Sequence, residues 1–234
     1  MKDTKAIREV TKVNPNTPQS KQGNLVRYCV YLIIYLLVIL CRIWAICKNR
    51  FHIVGGIFFI IFGLFGMWFY IRRYNREQEF FEERVSISLL ADFGFSAGVS
   101  VLVIALRFLT SYWQARHRFP MTYMQTMFSN QESTTLFWFL IIAFGIVLPI
   151  LQVFLSVGFF FNYYFRTQDI VSSVFGIICS GIFFAFLNGQ YSLSLFVINS
   201  LCGMLVAWAY LYTQNIFTPI YLAILNGIFM VLLV

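Results

Sequence analysis

The stretch from residue 53 to residue 71 reads IVGGIFFIIFGLFGMWFYI and contains no charged residue. A helix of about 20 apolar residues spans the hydrocarbon core of a bilayer. In hydrocarbon the backbone polar groups must be bonded within a helix or a closed barrel, and barrel strands alternate in polarity. Because this stretch does not alternate, it predicts a transmembrane helix.

Similar apolar runs recur along the chain, in which 60% of the residues are hydrophobic and 11% are charged. This pattern predicts an all-α fold, a polytopic transmembrane helical bundle of about seven spans. The longest predicted span contains Pro149, which predicts one tilted, kinked helix or a helix that runs out into the interface. The predicted spans are residues 26–46, 53–71, 85–106, 135–165, 170–188, 191–212 and 216–234.

The polar residues collect at the N-terminus and in a few loops. Residues 1–24 are predicted to form a disordered cytoplasmic tail, and residues 25–234 a single membrane domain. The loop 72–84 mixes both charge signs and is predicted to be an amphipathic juxtamembrane segment. The largest predicted loop, residues 107–134, is expected to face outward.

The chain carries a net charge of +8, which basic loops beside anionic lipid headgroups explain. No nucleic-acid-binding module is recognisable, so no nucleic-acid partner is expected. With the N-terminus inside, eleven Lys and Arg residues lie in the inner segments and six in the outer ones. The positive-inside rule therefore predicts a cytoplasmic N-terminus. Arg42 and Arg107 lie close to predicted helix ends, and we expect both to snorkel towards the surface.

Small residues mark expected helix contacts, because glycines let membrane helices approach closely. The third predicted span contains a G-xxx-G pair, and glycines also line one side of the second span. The residues concerned are Gly55, Gly56, Gly63 and Gly66 in the second span and Gly94 and Gly98 in the third.

Residues for known intramembrane chemistry are scarce. Ser96 lies in a stretch that fits G-x-S-x-G, but the two histidines, His52 and His117, fall in predicted loops and cannot serve as its base. Asp92 is the single acid within a predicted span, so a pair of aspartates is missing. No cofactor and no metal site are expected. Asp92 remains a candidate functional acid, or a residue near the cytoplasmic interface that contacts Arg84 or water.

The last hundred residues carry a more specific pattern. Residues 144–158, 180–188 and 213–227 are similar to the three motifs of the CPBP family (CAAX protease and bacteriocin-processing, or Abi). In outline these read P-x-x-E-E-x-x-x-R-G, S-x-x-x-F-x-x-x-H and T-G-S-x-x-x-P-x-x-x-H-x-x-x-N. The resemblance covers roughly residues 135–234. It implies a helical intramembrane protease that uses a glutamate as general base on water.

The residues that would do this chemistry are replaced in this chain. A second register for the first motif, residues 161–166, keeps an arginine but also lacks both glutamates. Glutamine and asparagine do not titrate near neutral pH, so the sequence predicts a degenerate member without catalytic residues. The substituted family-equivalent positions are Gln152, Val153, Val157, Asn188, Ala223 and Gly227.

Three amides remain in the motif segments, and we expect Gln152, Asn188 and Asn226 to form an inert polar centre that holds the bundle together. The alternative is that they face different ways and never meet. The resulting prediction is a non-catalytic scaffold or regulator of a partner membrane or cell-envelope protein in a bacterial plasma membrane. The resemblance suggests envelope maintenance, bacteriocin immunity or signalling. Competing hypotheses are a protease with a rearranged site, built from residues such as Asp92, Ser96 or His117, and a transporter or channel.

Overall fold

The computed structural model describes residues 21–47, 50–77, 93–130, 133–165, 170–190 and 192–233. In these residues the chain forms eight helices and one short hairpin, whose strands pair Ile46 with Phe51 and Cys47 with Arg50. The elements are α1 (Lys21–Ala45), β1 (Ile46–Cys47), β2 (Arg50–Phe51), α2 (Ile53–Arg76), α3 (Phe93–Ala115), α4 (Tyr123–Asn130), α5 (Thr134–Tyr164), α6 (Ile170–Asn188), α7 (Leu193–Thr213) and α8 (Phe217–Leu232).

The all-α transmembrane bundle predicted from the sequence is confirmed. Six of the described helices are long and apolar enough to cross a membrane, and α8 is a shorter apolar helix of 16 residues. Helix α6 coincides with the predicted span 170–188, and α5 differs from 135–165 by one residue at each end. The predicted tail falls mostly on residues 1–20, which lie outside the described residues.

Two boundaries were wrong. Helix α2 continues five residues past residue 71, so part of the predicted loop 72–84 is helical, and residues 78–84 lie outside the described residues. Helix α3 ends at Ala115 instead of residue 106. The predicted outer loop 107–134 therefore contains the end of α3 and the whole of α4. Asp92 and the rest of residues 85–92 lie outside the described residues.

Helix α3 continues because its polar residues share its buried face. Buried positions recur every three or four residues, which is the spacing of one side of a helix. Towards the end of the helix this buried face becomes polar. The polar residues lower the mean hydropathy of the sequence there, but their side chains are not exposed to lipid. The buried residues of α3 are Val99, Ser100, Val103, Arg107, Thr110 and Gln114.

Helix α5 is the centre of the bundle. In its most apolar window 78% of the residues are buried, against 28% to 56% in the other five long helices. The helix is continuous but contains two π-helical segments, Ile141–Val147 and Phe154–Phe159. Pro149 lies in the α-helical segment between them, Leu148–Val153. Because proline has no backbone N–H, one carbonyl of the preceding turn loses its usual donor, and π-helical turns are common where the regular ladder is interrupted.

The two sides of α5 belong to different parts of the core. On the side towards α1 and α2, Phe159 packs on Tyr31 and Tyr70, with ring centroids 4.4 and 5.7 Å apart. On the other side, Val153 and Val157 are fully buried in a cluster that includes residues of α7 and α8. Because both sides are covered by protein, a substitution in α5 is expected to disturb the packing of the helices on both sides.

The predicted glycine contacts are confirmed for α2, whereas for Gly94 and Gly98 of α3 the described residues show none. A Cβ on Gly55 would lie 2.7 Å from the α1 backbone, and one on Gly63 would lie 2.7 Å from Val147. By contrast, a Cβ on Gly94 or Gly98 would meet no described atom within 4 Å. The G-xxx-G pair of α3 therefore faces away from the described bundle.

Candidate functional site

The three motif segments lie next to one another around α5. The Ser180 hydroxyl of α6 donates to the Ser156 carbonyl of α5 at 2.6 Å, and both residues are fully buried. Gly227 of α8 packs directly on the Phe144 carbonyl, and a Cβ there would clash with that oxygen and with the Pro149 ring. The first segment therefore contacts both the second and the third.

At the first glutamate-equivalent position, Gln152 links three helices. Its Nε2 donates to the Tyr35 hydroxyl of α1 at 2.8 Å and to the Leu187 carbonyl of α6 at 3.4 Å. The Tyr35 hydroxyl donates to the same carbonyl at 2.7 Å. Only 3% of Gln152 is exposed. Both hydrogens of the amide nitrogen are therefore used to join helices.

The other family-equivalent positions are packed or locally bonded. Asn188 donates from Nδ2 to the Phe184 carbonyl of its own helix at 2.9 Å and is partly exposed near the end of α6. Gly227 makes the close approach described above. The remaining three positions, which are fully buried in apolar contacts, are Val153, Val157 and Ala223.

The amides Gln152, Asn188 and Asn226 bond to different partners. Gln152 binds Tyr35 and a carbonyl, Asn188 binds its own helix, and Asn226 accepts from Arg107. None of these bonds joins two of the three amides. A common polar centre therefore does not arise from direct amide–amide contact, and the contribution of the three residues to stability stays a prediction.

The expectation that Arg107 snorkels to the surface was wrong. Arg107 lies within α3 with 3% of its surface exposed. Its Nε donates to Asn226 Oδ1 at 2.7 Å, and its Nη2 donates to Asn199 Oδ1 at 2.6 Å. Arg42 is partly exposed in the last turn of α1 and stacks on the Phe144 ring at 5.0 Å.

A second polar group, which sequence reasoning missed, surrounds Glu77 at the end of α2. Glu77 Oε1 accepts from Arg73 Nε at 2.6 Å, from Arg27 Nη1 at 3.3 Å and from the Tyr31 hydroxyl at 2.9 Å. Glu77 Oε2 accepts from the Tyr163 hydroxyl. We call Arg27, Tyr31, Arg73, Glu77 and Tyr163 the Glu77 cluster. The signal for it was the i, i+4 pair of Arg73 and Glu77, which favours a helix that continues past residue 71.

The Glu77 cluster joins the ends of α1, α2 and α5. The Glu77 carboxylate is completely buried, whereas the side chains of Arg27 and Arg73 remain 31% and 27% exposed. A carboxylate offers about four lone-pair sites, and four donors contact this one. All acceptor sites of the carboxylate are therefore used, and the buried ion pair holds the three helix ends together.

The remaining sequence candidates are not brought together within the described residues. Asp92 lies outside the described residues. Ser96 lies near the start of α3, where its carbonyl accepts from Ser100. His52 is exposed between β2 and α2, and His117 is exposed in the turn after α3. Within the described part of the chain, no group of three or more His, Cys, Asp or Glu residues forms a metal site.

Comparison with known families identifies the C-terminal part of the chain. Residues 134–229 match the family model of the Rce1-like proteins, described as type II CAAX prenyl endopeptidase Rce1-like. The match extends from the start of α5 into α8 and contains all three motif segments, so the resemblance seen in the sequence is confirmed for this part. It spans less than half of the chain. No curated protein and no solved structure matches the chain.

Proposed function

We propose that this Rce1-like membrane protein is non-catalytic and acts as a scaffold or regulator of a partner membrane or cell-envelope protein. One observation carries the proposal: at the first glutamate-equivalent position, Gln152 is buried and its amide nitrogen is bonded to Tyr35 and to the Leu187 carbonyl. A general base on water must accept a proton and must reach that water. The Gln152 amide does not titrate, and it is used to join helices.

The neighbouring positions support the same proposal. Val153, Val157 and Ala223 have no exposed surface and no polar group, so the remaining motif positions offer no titratable side chain. Removing a carboxylate from the membrane interior also avoids a cost of about 2.5–3.5 kcal/mol on the insertion scale. The motif segments thus favour a stable helix junction over a hydrolytic centre.

The competing hypothesis is an intramembrane protease of the CPBP family with a rearranged active site. Such a site needs a carboxylate that can accept a proton from water. Within the residues that the structure describes, Glu77 is the single acid, and two arginines and two tyrosines already donate to it. This arrangement disfavours Glu77 as a base, because a base needs a free lone pair.

The partner-binding part of the proposal is supported by α3. Gly94 and Gly98 lie on the side of α3 opposite its buried residues, and a Cβ on either would meet no described atom within 4 Å. A G-xxx-G pair lets a second helix approach closely in a membrane. We place the protein in a bacterial plasma membrane with its N-terminus in the cytoplasm, with envelope maintenance or bacteriocin immunity as the setting.

A cleavage assay tests the absence of catalysis. The purified protein in liposomes is incubated with a prenylated CAAX peptide and with membrane-anchored reporter peptides, and the products are identified by mass spectrometry. We expect no cleavage above protein-free liposomes. Cleavage that Glu77→Gln or Asp92→Asn abolishes, while Arg116→Gln leaves it intact, would establish the protease hypothesis and refute ours.

Crosslinking in native membranes followed by mass spectrometry tests the partner. We expect one specific membrane or envelope protein to be captured, and Gly94→Leu with Gly98→Leu to reduce its yield because the larger side chains separate the helices. The control is Val171→Phe, which adds bulk at a residue of α6 that is 81% exposed. Asn188→Ala is expected to leave capture unchanged. Equal capture of unrelated membrane proteins by all variants would contradict a specific scaffold.

A further inference from the structure

A small polar cavity lies beside the buried Arg107. Its volume is about 10 Å³, which is about the space of one water-sized particle. It lies between the second half of α3, the start of α4 and the end of α8. We call it the Arg107 cavity. The residues that line it are Arg107, Thr110, Ser111, Gln114, Thr122, Gln125, Phe229, Met230 and Leu233.

The charge at this cavity is positive. Two nitrogens of the Arg107 guanidinium donate to Asn226 and Asn199, whose amides are neutral. Among the described residues no acid lines the cavity. The single acid in the described residues is Glu77, which is paired with Arg27 and Arg73. Because a buried charge in an apolar region needs a partner of opposite sign, the Arg107 cavity favours an anion.

The other lining groups fix the size and the polarity of the cavity. Gln114 and Gln125 exchange two amide hydrogen bonds of 3.0 and 2.9 Å and close the side towards α4. The Ser111 hydroxyl donates to the Leu233 carbonyl at 3.5 Å, the limit of a hydrogen bond. Thr110 donates to the Leu106 carbonyl at 2.7 Å and adds only a lone pair.

We propose that the Arg107 cavity binds one compact monovalent anion of halide size, held by the free donors of the Arg107 guanidinium. A guanidinium has five N–H donors, and the two amide bonds leave three of them for other acceptors. The proposal does not depend on whether the protein is catalytic, because none of the lining residues occupies a motif position that the family uses for chemistry.

The first experiment measures the anion dependence of stability in wild-type protein. Unfolding is followed in detergent while chloride or bromide replaces gluconate at constant ionic strength. Because a ligand that binds only the folded state stabilises it by mass action, tenfold excess over Kd lowers the unfolding constant by about elevenfold and raises Tm by about 3–6 °C. The same Tm in chloride and gluconate overturns the proposal.

Variants locate the site. Arg107→Gln is expected to abolish the halide dependence, and Arg107→Lys to retain a weaker one, because the charge remains but the planar donor set is lost. The matched control is Arg116→Gln, which removes an exposed arginine just after the same helix and is expected to leave the dependence unchanged. Halide stabilisation that persists in Arg107→Gln places the anion elsewhere and refutes the proposal.

A direct measurement covers the case in which Arg107→Gln fails to fold. Crystals of the wild-type protein grown in bromide are expected to give an anomalous peak in contact with the Arg107 guanidinium. If the cavity holds only water, or if an acid of the chain outside the described residues supplies the counter-charge, this peak is absent. Either result overturns the proposal.

Discussion

The Glu77 cluster gives the sharpest prediction for stability. Replacing Glu77 by Gln keeps the shape of the side chain and one carbonyl acceptor but removes the negative charge that four donors share. We expect the variant to fold with a lower free energy of unfolding. The substitution lies outside the three motif segments, so it separates the role of the cluster from that of the motifs.

The size of this loss follows from the exposure of the partners. Hydrogen bonds to a charged group contribute about 1.5–3 kcal/mol against about 1 kcal/mol for neutral ones, so the buried bonds from Tyr31 and Tyr163 together lose about 2 kcal/mol. Arg27 and Arg73 are 31% and 27% exposed, and solvent screening reduces their contribution to about 0.5 kcal/mol each. The expected total is about 3 kcal/mol.

Reversible unfolding in mixed micelles measures this free energy. The control is Arg72→Gln, which changes the charge of an exposed residue one position from Arg73 and is expected to cost less than about 1 kcal/mol. A double-mutant cycle with Tyr163→Phe is expected to give a coupling energy of about 1 kcal/mol or more with Glu77→Gln. A loss no larger than that of the control, or a coupling of zero, refutes the reasoning.

Three further predictions concern the motif segments, and the same unfolding measurement checks each. Gly227→Ala is expected to lower the free energy of unfolding by about 1–3 kcal/mol, because its Cβ meets a backbone carbonyl. Gly98→Ala is expected to be neutral or to raise that free energy by up to about 1 kcal/mol. Equal effects of the two substitutions would contradict the packing. Gln152→Ala is expected to cost about 1–2 kcal/mol, and Asn188→Ala less than about 0.5 kcal/mol, because only Gln152 joins helices. Ser180→Ala is expected to cost about 1 kcal/mol through its bond to α5, and no loss would argue against that bond.

The sequence by itself was enough to predict that this protein lies in a membrane and to locate most of its helices. Each residue contributes its transfer free energy independently of its neighbours, so a window of about 20 residues identifies a span without knowledge of the fold. For this reason α5 and α6 agree with their predicted spans to within one residue. The motif segments were also readable, because their spacing is carried by the chain itself.

Only the tertiary structure decided where the polar groups lie. The sequence pattern predicts a helix end at Arg107. In the structure, Asn199 and Asn226 on two other helices accept its hydrogen bonds, so Arg107 lies within α3. Likewise, the glycines of α2 pack while Gly98 faces outward, although both sets look alike in the sequence. The physical reason is that the cost of burying a charge, or the gain from a small residue, depends on the neighbour that meets it, and that neighbour is distant in the chain.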